Sequence, residues 1–262
     1  MAPSFRSGKS ARLLFNNADL SAILQDVSVT GSAKALDVTA FQQNDMAYIT
    51  GVRDGTVKYS GMFDGTALST ASTATTGALD ARFNSALAAS TQPIVTYGPA
   101  GDTIGRRARM WKQETVNYTA QSPVNDVVKI SADGQLSGRQ YAGVWLLNSA
   151  ARTSTSSTFA GVNSGVAAGT TQGGVGHFHM TAATTVATFR VKIQHSSGAT
   201  AWTDLITFSS STGTTAAGAV QRSTVSGTVK RHVRAIISTF TGGAGKSATV
   251  AVAFSRHGNI KT

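Results

Sequence analysis

His177 and His179, in the run HFHM, stand two residues apart. On a strand this spacing points both imidazoles to one side, where they could share a metal ion. A metal site needs more donors than two. The sequence has no Cys, and Asp204 is the one acid after residue 150, so the pair reads as a solvated or stacking face and no metal is expected. His195, His232 and His257 have no spacing that ties them to the pair. Nucleophilic chemistry fares no better: no G-x-S-x-G turn presents a serine, and acids to orient a histidine are almost absent beyond residue 134. Paired carboxylates for glycoside hydrolysis are not evident, since Glu114 is the sole Glu. GPAGDTIG (98–105) is glycine-rich like a phosphate loop, but it lacks the Gly-Lys-Ser/Thr ending and reads as a hairpin turn. GRRARMW (105–111) sets Arg107 and Arg109 on one strand face beside a Trp and could grip nucleic acid; a charge-protected strand edge is the stronger reading. An enzyme is not indicated, and no cofactor is expected.

Charge divides the chain. The protein carries a formal net charge of +11, with 13 Lys and Arg against 11 acids in residues 1–150 and 10 against one acid in 151–262. Two surfaces of different character imply two domains, with a boundary near residue 148, where a Ser/Thr/Gly/Ala tract (148–174) could act as a tether. The basic second half suits an acidic partner or serves solubility. No run of 18 apolar residues and no signal peptide is indicated.

The elements that would position these groups are mostly strands. From Thr56, apolar Val57, Tyr59 and Phe63 alternate with Thr56, Lys58 and Ser60, the period-two signature of a half-buried strand, bounded by the turn formers Asp54-Gly55 and Asp64-Gly65. Val27 and Val29 alternate upstream, so a long-armed hairpin is expected with a polar connection, 42–53, too long for a tight turn. One helix is expected at 78–90, with Leu79, Phe83, Ala86 and Leu87 on its apolar face, Asp80 in its first turn and Pro93 beyond its end. The remaining apolar runs are short and separated by Gly, Ser and Asn, which predicts a mainly β protein of sandwich or barrel type. A second low-complexity tract, 65–77, reads as flexible loop.

The order LSAILQDVSV, ALDVTAF, YITGVRDGTVKYSGMFDG, the helix, then PIVTYGPAGDTIG resembles the tail tube (major tail) proteins of bacteriophages with long, non-contractile tails. The match covers about residues 10–140 and is most specific in LDVTAF followed by GVRDGTVKYSGMFDG. The resemblance implies a small β-sandwich or barrel with one flanking helix, hexameric rings, and stacked rings forming the conduit for double-stranded DNA, which passes without specific binding. It implies a virion protein, made in the host cytoplasm, whose partners are its own copies and the tape measure and tail terminator proteins. Thr56, Val57, Lys58, Tyr59, Ser60 and Phe63 would belong to the sheet around the lumen, and Gln42, Gln43, Asn44, Asp45, Met46, Tyr48 and Arg53 to the loop that reaches the next ring.

Residues 148–262 extend past that unit. They resemble jelly-roll modules, which implies an outward-facing β-sandwich with Trp202, Asp204, Lys230, His232 and Arg234 as a ligand face toward a host cell-surface polymer. A second tube-like domain, making the ring a trimer of double units, is the structural rival. A soluble carbohydrate-binding or adhesion protein with two β modules is the rival for the whole chain.

Overall fold

Alternating apolar and polar side chains are carried into strand after strand, and the chain is mainly β, with an extensive antiparallel sheet and one α-helix among the described residues. The computed structural model describes residues 8–40, 45–64, 79–164, 172–209, 211–215 and 218–257. In order, the elements are β1 (Arg12–Phe15), β2 (Ala18–Asp19), β3 (Leu24–Asp37), β4 (Tyr48–Met62), α1 (Leu79–Ala88), β5 (Ile94–Gly98), β6 (Arg107–Gln121), β7 (Lys129–Leu136) and β8 (Tyr141–Arg152). There follow β9 (Val162–Asn163), β10 (Gly174–Ser196), β11 (Thr203–Thr207), β12 (Ser211–Thr215), β13 (Val220–Val225) and β14 (His232–Arg256).

The main path of hydrogen-bonded strands is β11-β10-β14-β8-β6-β5-β1-β2. β6 is the corner: its first residues pair with β5 and β8, and from Gln113 it pairs instead with β7, which leads on to β4 and β3. A strand shared in this way lets two sheets pack over one core. That first core gathers Phe15, Tyr59, Trp111 and Ile130 beneath α1. Leu79, Phe83 and Ala86 of the helix are buried there, whereas Leu87, expected on the same face, is 44% exposed because one residue past Ala86 turns the side chain roughly 100° away. Asp80 accepts a hydrogen bond from the Tyr118 hydroxyl and ties the first helical turn to β6.

Gln113 is the polar exception in this core. Its Oε1 accepts from Tyr59 Oη at 2.6 Å and from Trp111 Nε1 at 2.8 Å. Burial holds the Tyr59 phenol far above its ordinary titration range. Gln113→Ala leaves two buried donors unpartnered and should cost about 2–4 kcal/mol in denaturant unfolding. A loss below about 0.5 kcal/mol would mean that the two rings find other acceptors.

The second core lies between β8, β10, β11 and β14, around Phe178, Phe189, Phe208 and Phe240. Here the expected short strands are fused. HFHMTAA and all but the last residue of TFRVKIQHSS lie in β10, and most of KRHVRAIIS runs on into ATVAVAFSR as β14. Register shifts at Met180/Ala182, Thr184/Val186, Val186/Thr188 and Arg190/Val191 let the long ladder bend without breaking. Gly242 sits at that bend, where a Cβ would come within 2.1 Å of the Thr185 carbonyl oxygen.

The boundary expected near residue 148 falls inside β8, whose Ala150, Ala151 and Arg152 pair with Val250, Thr249 and Ala248 of β14. A third core of Leu14, Ala108, Met110, Trp145, Val175, Ala251 and Ala253 draws on both halves of the chain. The tract 148–174 therefore starts as strand, and its Phe159 and Val162 pack on the second core. Residues 165–171 of it, and the whole tract 65–77, lie outside the described residues.

Candidate functional site

β3, β4, β7 and the second half of β6 form a four-stranded sheet with one face on the first core and the other open. Val57 and Tyr59 point inward, and Thr56, Lys58 and Ser60 outward. Three cross-strand rows make up the open face: Thr30–Thr56–Gln135–Glu114, Ser28–Lys58–Asp133–Asn117 and Asp26–Ser60–Ser131–Thr119. Hydroxyls and amides dominate, and Lys58 stands directly opposite Asp133. Phe63 does not continue the buried row. It lies beyond the end of β4, 40% exposed, its N–H donating to the Val128 carbonyl.

Neither lateral edge of this sheet is paired with a further strand among the described residues. β3 pairs with β4 alone, and the 116–121 stretch of β6 has β7 on one side and no strand on the other among the described residues.

From the same sheet the β3–β4 ribbon projects as an arm. β4 begins at Tyr48, so the connection spans 38–47 rather than 42–53; Tyr48 and Arg53 lie in the strand, with Asp37 opposite Tyr48 and Ala33 opposite Arg53. Asp54-Gly55, expected as a turn, is mid-strand: Gly55 faces Gly31, and a Cβ there would come within 2.9 Å of the Thr30 carbonyl oxygen. Beyond that crossing the arm is exposed on both faces over 31–37, a reach of roughly 20 Å. Its end carries Leu36, Val38, Met46, Tyr48 and Ile49 as exposed apolar groups, Met46 at 69%. Thr39 closes the turn, donating its hydroxyl to Asp37 Oδ1 at 2.6 Å and accepting from the Ala47 N–H at 2.9 Å. The Thr39 hydroxyl and N–H hold the Asp37 carboxyl below its ordinary range. Asp45 is exposed beside Met46, and Gln42, Gln43 and Asn44 lie outside the described residues.

In the second half, the residues expected as a ligand face come together. Arg234 donates through Nε and Nη2 to Gln194 Oε1, at 3.0 and 2.8 Å, and its Cζ lies 4.2 Å from the Trp202 ring centroid. Asp204 accepts from Lys192 Nζ at 2.6 Å and from Gln194 Nε2 at 2.8 Å, bonds that hold its carboxyl below the usual range. Lys230 Nζ reaches Thr203 Oγ1 at 3.4 Å, and His232 lies at the start of β14 opposite Ser196 and Asn163. Trp202 is only half-exposed, with Arg234 over its ring and Gly161 so near its edge that a Cβ there would come within 2.6 Å.

His177 and His179 share a side of β10, but the face is neither solvated nor open. Both are fully buried, their rings 6.1 Å apart, and both contact Thr96 Oγ1, at 3.0 and 2.8 Å. Among the described residues no group of three or more His, Cys, Asp or Glu could hold a metal ion. Arg107 and Arg109 are exposed on one face of β6, as the alternation predicts, with Trp111 in the first core. GPAGDTIG connects β5 to β6 as an antiparallel turn.

No family model matches the sequence, and no curated protein matches it. Among solved structures, 52% of the chain is similar to 97% of a chain from the virion of a native gene transfer agent particle, at 15% identity and a TM-score of 0.40. The same share is similar to 77% of a chain of the SPP1 tail tube, at 12% identity and a TM-score of 0.41. Over 94% of its length the chain is similar to 98% of SPP1 Dit, a hub protein of the adsorption apparatus of phages that infect Gram-positive hosts, at 13% identity and a TM-score of 0.35.

Proposed function

We propose that the chain is the subunit of a phage tail tube, a structural virion protein that closes into hexameric rings and stacks them into a conduit for DNA. The observation that carries this reading is the four-stranded sheet whose edge on each side pairs with no further strand among the described residues. Unpaired edges invite addition of further strands, and a ring of copies, β3 of one against β6 of the next, removes every edge by closure.

Two further features support it. The outward face of that sheet mixes hydroxyls, amides and opposed charges, with Lys58 and Lys129 against Asp26, Asp133 and Glu114. Such a face offers few cations to hold phosphates, and six-fold repetition would multiply any that it had. The arm, exposed on both faces and apolar at its end, would reach the neighbouring ring. In this reading the basic second half faces outward, toward a host-surface polymer, and tape measure and terminator proteins meet the tube at its ends. The rival carbohydrate-binding reading needs an open aromatic platform, and Arg234 already lies over Trp202.

Electron microscopy of the purified protein tests the proposal, with rings or tubes expected. Replacing residues 35–50 by a two-residue turn should leave the strand content and unfolding midpoint nearly unchanged while abolishing elongation beyond single rings. Tubes of normal length from this variant would take stacking away from the arm; particles that stay monomeric in the intact protein would overturn the tube reading.

A further inference from the structure

Tyr141 opens β8 at the rim of the third core, and three basic side chains from distant parts of the chain converge on its ring. Arg139 comes from the turn before β8, with its Cζ 5.9 Å from the ring centroid. Arg222 comes from β13, its Cζ at 5.5 Å and its Nη2 3.4 Å from Tyr141 Oη. His257 follows β14 and stacks on the same ring at 5.2 Å with an interplanar angle of 24°. Together with Gln172, Arg139, Tyr141 and His257 line a cleft of about 270 Å³.

The donors here outnumber the acceptors. The four ion pairs among the described residues involve neither arginine. Nε of Arg139, Nε of Arg222 and Nε2 of His257 are buried without a hydrogen-bond partner. An aromatic ring stabilises a nearby guanidinium only modestly, and two guanidinia around one ring repel each other. A guanidinium is a planar fork that matches an oxyanion with two parallel hydrogen bonds. A fork and an imidazole in the lining, with a second guanidinium close behind, suit an anion of concentrated charge such as phosphate better than a single carboxylate.

We infer that the cleft at Tyr141 is a binding site for a phosphate group, held by Arg139 and His257 in its lining, with Arg222 adding positive charge from beside the Tyr141 ring. The group arrives as free phosphate or as the phosphodiester of a nucleic acid strand. Arg139 also borders the base of the β3–β4 arm, beside Arg53 and Asp54, but the proposal does not depend on the tube reading.

Thermal unfolding of the full chain in sodium phosphate, against sodium chloride at equal ionic strength and pH 7.5, tests it. The wild-type midpoint should rise saturably, by roughly 2–5 °C at phosphate well above its dissociation constant. Arg139→Gln, a change in a turn, should remove that rise while leaving the midpoint in chloride within about 1 °C. His257→Gln should reduce it. A rise of equal size in Arg139→Gln would mark a general salt effect and overturn the site, as would no rise in wild type. Anisotropy of a fluorescent oligonucleotide separates the sources. Binding that phosphate competes away and Arg139→Gln weakens at least fivefold assigns the site to a phosphodiester; a retained phosphate shift with no oligonucleotide binding assigns it to the free ion.

Discussion

A chain ended after Leu147 is expected to be insoluble or unfolded, even though charge and composition change beside that residue. Trp145, Leu146 and Leu147 are all fully buried, and their cover comes from the removed part: Trp145 pairs with Ala253, Leu147 with Val252, and Val144 with Phe254. Leu14, Ala108 and Met110 would lose Val175, Ala251 and Ala253 from the third core. Re-exposing a large apolar side chain costs about 1.5–3 kcal/mol, so four or five of them together approach the whole stability of an ordinary domain, about 5–15 kcal/mol. The truncation would also remove His177 and His179 from Thr96. The check is solubility and an amide NMR spectrum of residues 1–147. A soluble product with dispersed resonances would show that the halves fold independently, and would restore the dispensable outer module that composition suggests.

Composition and the packing of the seam point in different directions there, for a physical reason. Charge and low complexity report on surface, whereas the seam is made of Leu14, Trp145, Val175 and Ala253, residues too far apart in sequence to form any pattern. Where the pattern is local, it reads well. The helix is legible because Leu79, Phe83 and Ala86 repeat within two turns, and the ligand-face residues converge because Asp204 and Arg234 lie on strands that both pair with Gln194. Asp54-Gly55 shows how a dipeptide rule fails: the glycine is needed for the approach of β3 to β4, a close packing that no reading of neighbours along the chain contains. Similarly, Tyr141, Arg222 and His257 meet only through the pairing of β8, β10, β13 and β14. The long β10 and β14 look like separate short strands in the sequence because each bulge interrupts the alternation that marks a strand.

The buried imidazoles should make stability strongly dependent on pH between about 6.5 and 4. The hydrogen bonds fix their tautomers. His179 Nδ1 lies 2.6 Å from the Asn16 carbonyl oxygen and so carries the proton; its Nε2 accepts from the Thr96 hydroxyl, and that oxygen accepts from His177 Nδ1. His177 Nε2 is then a buried lone pair with no partner. Burial pushes His179 down to about 4. His177 is lowered well below its ordinary value, by burial first and then by His179 and Arg222, with the Val95 carbonyl alone favouring the proton. Because both folded values lie below the unfolded value near 6.5, the unfolded chain takes up protons first as the pH falls. Stability from these groups is complete above about pH 7 and declines below 6.5; His179 alone accounts for about 3 kcal/mol by pH 4, and His177 adds to it. The buried His195 is also lowered and acts in the same window, outside this seam. Asp37, Asp126 and Asp204 are lowered from the carboxylate range, so their stabilisation is lost only below about pH 4 and does not overlap. Denaturant unfolding at pH 7.5, 5.5 and 4.5 should therefore show a steep loss in wild type. His179→Gln, which keeps a polar group at the site but cannot titrate, should start about 1–2 kcal/mol less stable at pH 7.5 and lose about 2–3 kcal/mol less on the way to pH 4.5. Parallel curves for the two proteins would place the acid sensitivity elsewhere, since a purely structural role for the histidine lowers the whole curve without changing its slope.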